Sequence, residues 1–298
     1  MHADWNVVAL TSALGGTVAG EHGDGRLRTP VLAQLWPADA LALFARIKAV
    51  FDQPQVGANL QDHLDLYCIA ELSGPYSYDR YAKPHWAALA GLQYLLQRKG
   101  PVASSLFETG GFWYADKSAR SPDIQLHLGL GTGIEHGVVS MPQGGITLNS
   151  CYLRPRSRGT IRLQSGDPSK APLIDPNYLA DPLDREMSTR GLKLTRDILS
   201  QPALKPFILA ERLPGPEVKS DEDYFNFICQ HSKTSHHCAG TCRMGSDEGA
   251  VVDPQLRFNG IAGLRIVDNS IMPTVISSNT NAAAIMIGEK AADMIKAS

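Results

Sequence analysis

The sequence predicts an α+β fold. Apolar residues recur at helical spacing in several long segments and alternate in several short ones. The two kinds of segment do not follow the strand–helix–strand rhythm that builds a parallel sheet, so a mainly antiparallel sheet flanked by helices is expected. No internal repeat or low-complexity tract interrupts the pattern.

Taken in order, Val7, Leu10 and Leu14 recur at helical spacing and run into Gly15-Gly16, a C-terminal stop. Thr17-Val18-Ala19 suits a short strand before a glycine-rich turn at 20–26. Pro37 then opens a clearer helix with Leu41, Phe44, Ile47 and Phe51 on one face. Residues 52–57, with Pro54 among them, read as a junction, which predicts a βα extension over 1–53 and a second unit over 54–298. Past the junction, the spacing predicts a helix over 87–97, and Ile124-Gln125-Leu126-His127-Leu128 alternates as a strand does. Further strands are expected over 145–154 and 159–164, the latter closing on the turn Gly166-Asp167-Pro168. An amphipathic helix is predicted over 184–199, with Met187, Leu192, Leu194 and Ile198 among its apolar positions. Two more are predicted over 221–231 and 282–296, the last following the Asn279-Thr280-Asn281 turn.

Composition narrows the function classes. A chain of 298 residues with a formal net charge of -2 and a pI near 6.5 lacks the concentrated basic surface that nucleic acid or an anionic membrane demands. The sequence has no uncharged apolar run near the roughly 20 residues that span a bilayer. No secretory leader is visible at the start of the sequence. Its five cysteines are an odd number without a disulfide-framework spacing, which suits a reduced, cytoplasmic setting.

Chemistry concentrates in residues 236–281. The stretch His236-His237-Cys238-Ala239-Gly240-Thr241-Cys242-Arg243-Met244-Gly245 puts two histidines beside glycines and a hydroxyl. Oxidising an alcohol requires removal of the hydroxyl proton as hydride leaves carbon, and a neutral imidazole suits that task. An amide such as Asn279 can hydrogen-bond a developing alkoxide. By residue type alone, a histidine in such a loop serves equally to satisfy backbone groups. A metal reading also stands beside these, because His231, His236, His237, Cys238 and Cys242 are ligand types, although their spacing fits no paired template and no metal ligand is assigned.

The stretch from His237 to Gly245 resembles the His-x-x-Gly-Thr-Cys-x-Met-Gly segment of the glucose-methanol-choline (GMC) oxidoreductases. The segment Gly263-Leu264-Arg265-Ile266-Val267-Asp268-Asn269-Ser270-Ile271-Met272-Pro273 and the run Asn279-Thr280-Asn281-Ala282 resemble that family's closing signature. Upstream, Val56-Gly57-Ala58-Asn59-Leu60-Gln61-Asp62-His63, Pro122-Asp123-Ile124-Gln125, Pro155-Arg156-Ser157-Arg158-Gly159 and Pro176-Asn177-Tyr178-Leu179 also fit, in the family's order. The resemblance covers residues 54–298, and Asn at 279 points to choline- and alcohol-dehydrogenase-like members. It implies a GMC-like substrate domain, FAD as cofactor and a small-molecule alcohol as substrate. His237 would be the catalytic base and Asn279 its partner. Asp268, Thr280 and Asn281 would lie beside the flavin, with Asn59, Asp62 and His63 near the cofactor.

One element of that family is missing from the sequence. No Gly-x-Gly-x-x-Gly turn between strand and helix is present to cradle a pyrophosphate. The nearest cluster, Gly129-Leu130-Gly131-Thr132-Gly133, has Ile134 at the third glycine position. The first residues instead resemble the C-terminal end of FAD-linked oxidases of the glycolate-oxidase and D-lactate-dehydrogenase type, on Gly20-Glu21-His22-Gly23 and the helix after it. There Glu21 and His22 are chemistry-bearing types, or simply part of a turn. These readings lead to an expectation of a truncated or fused flavoenzyme, either self-associating or completed by a chain that supplies the FAD domain. A non-catalytic binding module and a metal-dependent hydrolase are the alternatives.

Overall fold

The computed structural model describes residues 55–297 apart from 133–140, 142–143, 166 and 168. The helices and strand expected before residue 54, with Glu21 and His22, lie outside the described residues, as does part of the 129–133 glycine cluster.

Strands β1 (Leu64–Leu72), β2 (Phe107–Trp113), β3 (Ile124–Gly129), β4 (Gly145–Tyr152) and β7 (Ile208–Leu213) form an antiparallel sheet in the order β2-β3-β4-β1-β7. The two-residue β8 (Lys233–Thr234) pairs with the start of β1. A separate ribbon joins β5 (Thr160–Arg162) to β6 (Leu173–Asp175). The helices are α1 (Pro84–Gln97), α2 (Pro182–Ser200), α3 (Asp221–His231) and α4 (Asn281–Lys296). The expected α+β architecture is the observed one, with the helices predicted after residue 54 in place. Strand 145–154 ends at Tyr152, and 159–164 shortens to three residues. β1, β2, β6, β7 and β8 are additions to the sequence reading.

The alternation of side chains along a strand decides where the site lies. Leu64, Leu66, Cys68, Ala70 and Leu72 of β1, with Ile146 and Leu148 of β4, join Leu192 and Leu199 of α2 and Tyr224, Phe227 and Ile228 of α3 in one apolar core. The intervening residues therefore face the other way. Cross-strand register sets Gln125 opposite Cys151 and Cys151 opposite Asp65, and sets His127 opposite Asn149 and Asn149 opposite Tyr67. One face of the sheet is packed on helices, and the other carries a polar floor.

α2 starts at Asp181, whose carboxylate accepts Leu183 N–H at 2.8 Å, with Pro182 at the first helical position. α3 has a capping box between Ser220 and Asp223. Such caps satisfy the orphan amides of each first turn and fix the register of both helices against the sheet.

A second core beside the first is built from irregular chain. Val56, Ala239, Cys242, Val251, Val252, Leu256, Phe258, Ile271 and Met272 pack with Ile287 and Ala291 of α4. Residues 59–63 stitch the two cores together. Gln61 exchanges backbone hydrogen bonds with Ala239, both at 2.9 Å, and its side chain donates to Pro273 O at 3.1 Å. Asn59 donates from Nδ2 to Gly240 O at 3.1 Å and Pro273 O at 3.3 Å. Gly240 has φ +91°, and a Cβ there would sit 2.5 Å from the Asn59 carbonyl oxygen. Only glycine fits this crossing without moving the backbone. No described helix is long and apolar enough to cross a membrane.

Candidate active site

The loop after α3 and β8 carries His237 across the polar face of the sheet. Its placement starts at the backbone, where His237 N–H donates to Asp62 Oδ1 at 2.9 Å. The other Asp62 oxygen accepts Tyr178 O–H at 2.5 Å and the Thr234 hydroxyl. Two segments distant in sequence, at Tyr178 and at 234–237, are thereby tied to one buried carboxylate, 4% exposed.

His237 itself is 8% exposed. Its Nδ1 lies 2.9 Å from Nδ1 of His63, with the rings edge to face at 84°. Its Nε2 lies 3.2 Å from Nδ2 of Asn279. Asn279 is oriented from the sheet, because Gln125 Nε2 donates to its Oδ1 at 2.6 Å. With Oδ1 occupied as acceptor, the amide nitrogen is turned toward His237. The structure thus brings together the two residues expected to carry the chemistry, from chain positions 42 residues apart.

Burial is the largest influence on the His237 imidazole and lowers its pKa; Asp62 opposes that, while His127 and His236 add to it. His63, fully buried, is pushed down to about 4 by desolvation first and then by His237. His127 is also lowered by burial, with Asn279 opposing. All three rings are therefore neutral at pH 7, the state a proton acceptor requires.

These groups meet at a cavity of about 290 Å³ whose walls include Asp65, Phe107, His127, Lys233, His237 and Asn279. Asn149 also faces it, donating to Asp65 at 2.5 Å while its own Oδ1 is buried without a partner. Gln125, His127 and Asn149 escaped the sequence reading. Their one visible signal is the polar half of the β3 and β4 alternation.

The remaining expected residues lie at the turn Asn269–Ile271 and at the start of α4. Asp268 caps the turn at Asn269–Ile271, accepting Ser270 N–H at 2.7 Å, and is otherwise exposed. Thr280 precedes α4 without capping it by side chain, and Asn281 is exposed in its first turn. The first amides of α4 thus keep their partial positive charge free of a side-chain cap. Nearby in the chain, Asn269 Oδ1 is buried with no hydrogen-bond partner. Asn59, Asp62 and His63 have their side chains engaged with protein groups, as described above. Among the described residues no three His, Cys, Asp or Glu side chains converge as a metal site.

Known proteins share much of this sequence and fold. Residues 155–288 match the family model described as GMC oxidoreductase, and residues 3–55 match that of the C-terminal domain of FAD linked oxidases. The chain is 41% identical over 277 residues to an alcohol dehydrogenase [acceptor] of Pseudomonas putida, covering 91% of this chain and 50% of that protein. It is also 41% identical over 278 residues to an oxygen-dependent choline dehydrogenase of Pseudomonas aeruginosa, covering 91% and 49% respectively. A match over 91% of the chain reaches into residues before 54. Among solved structures, pyridoxine 4-oxidase from Mesorbium loti superposes with a TM-score of 0.69 at 28% identity, over 83% of this chain and 45% of that one. The chain spans about half the length of the curated relatives it matches. It carries the C-terminal domain of the GMC oxidoreductase family.

Proposed function

We propose that this chain provides the substrate-binding and catalytic half of an FAD-dependent oxidoreductase acting on the CH–OH group of a small alcohol. The observation that carries the reading is the His237–Asn279 pair, with a neutral imidazole directing Nε2 to an amide at the cavity wall. An alcohol in that cavity would lose its hydroxyl proton to His237 Nε2, while the Asn279 N–H steadies the oxygen as negative charge develops. Bound FAD supplies the hydride acceptor. Asp268, Thr280 and Asn281, with the amides of α4, would hold the ring end of that cofactor. The relatives' names, which specify an acceptor-dependent alcohol dehydrogenase and choline dehydrogenases, support an alcohol substrate.

The pyrophosphate end has no cradle in this sequence, so we assign it to another chain or a further part of the protein. Ile285 and Met286, 60% and 58% exposed one turn from Asn281, support such an apposed surface. We place a unit boundary near residue 54, supported by the separate family match over 3–55. The same missing cradle favours a second reading, a binding module that performs no redox chemistry.

The visible spectrum separates the two. Purified protein incubated with excess FAD and freed of unbound cofactor should retain flavin absorbance, and anaerobic addition of an alcohol should bleach it. Protein that emerges colourless overturns autonomous flavoenzyme activity and leaves either a catalytic half that needs the part holding the pyrophosphate or the binding module.

A further inference from the structure

His63 stands directly behind His237, does not itself line the cavity, and has a use that can be read from hydrogen-bonding roles alone. Its Nε2 lies 3.2 Å from the Leu153 carbonyl oxygen. A carbonyl only accepts, so His63 Nε2 must carry a proton and donate. His63 is 0% exposed and has no carboxylate on either ring nitrogen, so burial keeps it neutral. A neutral imidazole with a proton on Nε2 has a bare Nδ1, which acts only as an acceptor. The atom 2.9 Å from it, His237 Nδ1, must therefore donate. A neutral His237 protonated on Nδ1 is bare on Nε2, the atom turned to Asn279. The Asn279 amide agrees from the opposite end: its Oδ1 is engaged by Gln125, so its N–H donates to a bare Nε2.

We propose that His63 is a positioning residue that locks the tautomer of His237, holding the proton on Nδ1 and the lone pair on Nε2 toward the cavity. The alternative tautomer would place a proton on the very atom that has to accept one. The lock is not a proton wire, because its far end is a backbone carbonyl. A proton gained at His237 Nε2 stays on that ring while His63 continues to accept from Nδ1. The proposal rests on the proposed function for its catalytic meaning, but its physical content concerns this chain alone.

The test reads ring protonation in the full 298-residue chain without cofactor. Ring ¹⁵N–¹H correlation spectra of histidine-labelled protein distinguish a protonated ring nitrogen from a bare one, with His63 and His237 assigned by substitution. At pH 7 the expected result is His237 protonated on Nδ1 only and His63 on Nε2 only. The opposite tautomer at either ring overturns the lock.

Two polar substitutions separate the ends of the His63 ring. In His63→Asn the short amide can offer its oxygen where Nδ1 was, and His237 should keep its tautomer. In His63→Gln the longer amide can serve Leu153 but leaves the Nδ1 position empty, and His237 should become a mixture of tautomers. Identical His237 spectra in the two variants would overturn the proposal. Alcohol-dependent flavin reduction should follow the same split, near wild type in His63→Asn and lowered in His63→Gln in proportion to the fraction of His237 that has lost its Nδ1 proton. A correct tautomer in protein that never reduces flavin sinks the proposed function and leaves the lock standing. A wrong tautomer in an active enzyme does the reverse.

Discussion

The backbone N–H of His237 donates to the Asp62 carboxylate at 2.9 Å, so the loop bearing the candidate base is anchored by its own peptide group. The same carboxylate accepts from Tyr178 and Thr234, and its charge is the one influence that raises the His237 pKa. Replacing Asp62 with Asn removes the charge and turns at least one N–H toward groups that already donate. The expected outcome is a loss of about 1–3 kcal/mol in stability, the cost of leaving a buried polar group unmatched. His237 should also titrate at lower pH. Urea denaturation and histidine NMR check the two parts. An unchanged denaturation midpoint would mean that the loop is held elsewhere.

His237→Ala should lower alcohol-dependent flavin reduction by about 10²–10⁴-fold, the range for a general base. The pH profile of the wild-type protein should carry the same signature. Burial holds the His237 pKa below its ordinary value, so the neutral ring persists from alkaline pH down past 6.5, and the rate should fall only below that point. Stopped-flow reduction across pH 5–8 is the measurement. A rate that halves well above pH 6.5 would assign the base to another group.

His63 should also shape acid stability. Its folded-state pKa, near 4, lies below the ordinary 6.5, so between those values the unfolded chain takes up a proton that the folded chain refuses. Stability is therefore full above pH 6.5 and declines as pH falls toward 4. The gap corresponds to on the order of 3 kcal/mol. Comparing urea midpoints at pH 7 and pH 4.5 for wild type and His63→Asn isolates the contribution. The variant should lose less on acidification, and equal losses would place the acid sensitivity at other groups.

The helices were legible because their apolar spacing is local. Met187 and Leu192 of α2, and Tyr224, Phe227 and Ile228 of α3, are buried along stripes that need only a window of the sequence to be seen. β1 hid in plain view: Leu64, Leu66, Cys68, Ala70 and Leu72 alternate, but Tyr67 and Ile69 on the opposite face blur the contrast. β2 carries Gly110-Gly111 and depends on pairing with β3 for its form. At the site, His237 and Asn279 were named through resemblance. Gln125, His127 and Asn149 were not, because only cross-strand register tells which polar residues share a face with a loop more than 80 positions away. Asp62 and His63 were expected near the cofactor, whereas their close contacts with His237 are relations that no sequence spacing encodes.

Gln125 offers the last test, since its role is to orient Asn279. Its Nε2 donates to Asn279 Oδ1 at 2.6 Å, which leaves Asn279 Nδ2 for His237. Gln125→Leu removes that donor, and the Asn279 amide is then free to turn either face to the imidazole. Turned over, it would present an oxygen to the bare Nε2, two acceptors in contact, and no N–H for a developing alkoxide. Flavin reduction should fall about 10-fold or more, on the scale of losing one preorganised donor. Gln125→Glu gives the sharper contrast, because a carboxylate cannot donate to Oδ1 and instead attracts the amide nitrogen, forcing the inverted orientation. Its loss should equal or exceed that of Gln125→Leu and match Asn279→Ala, which lacks the amide altogether. If Gln125→Glu kept the wild-type rate while Asn279→Ala lost it, the amide would be oriented by His127 rather than by Gln125.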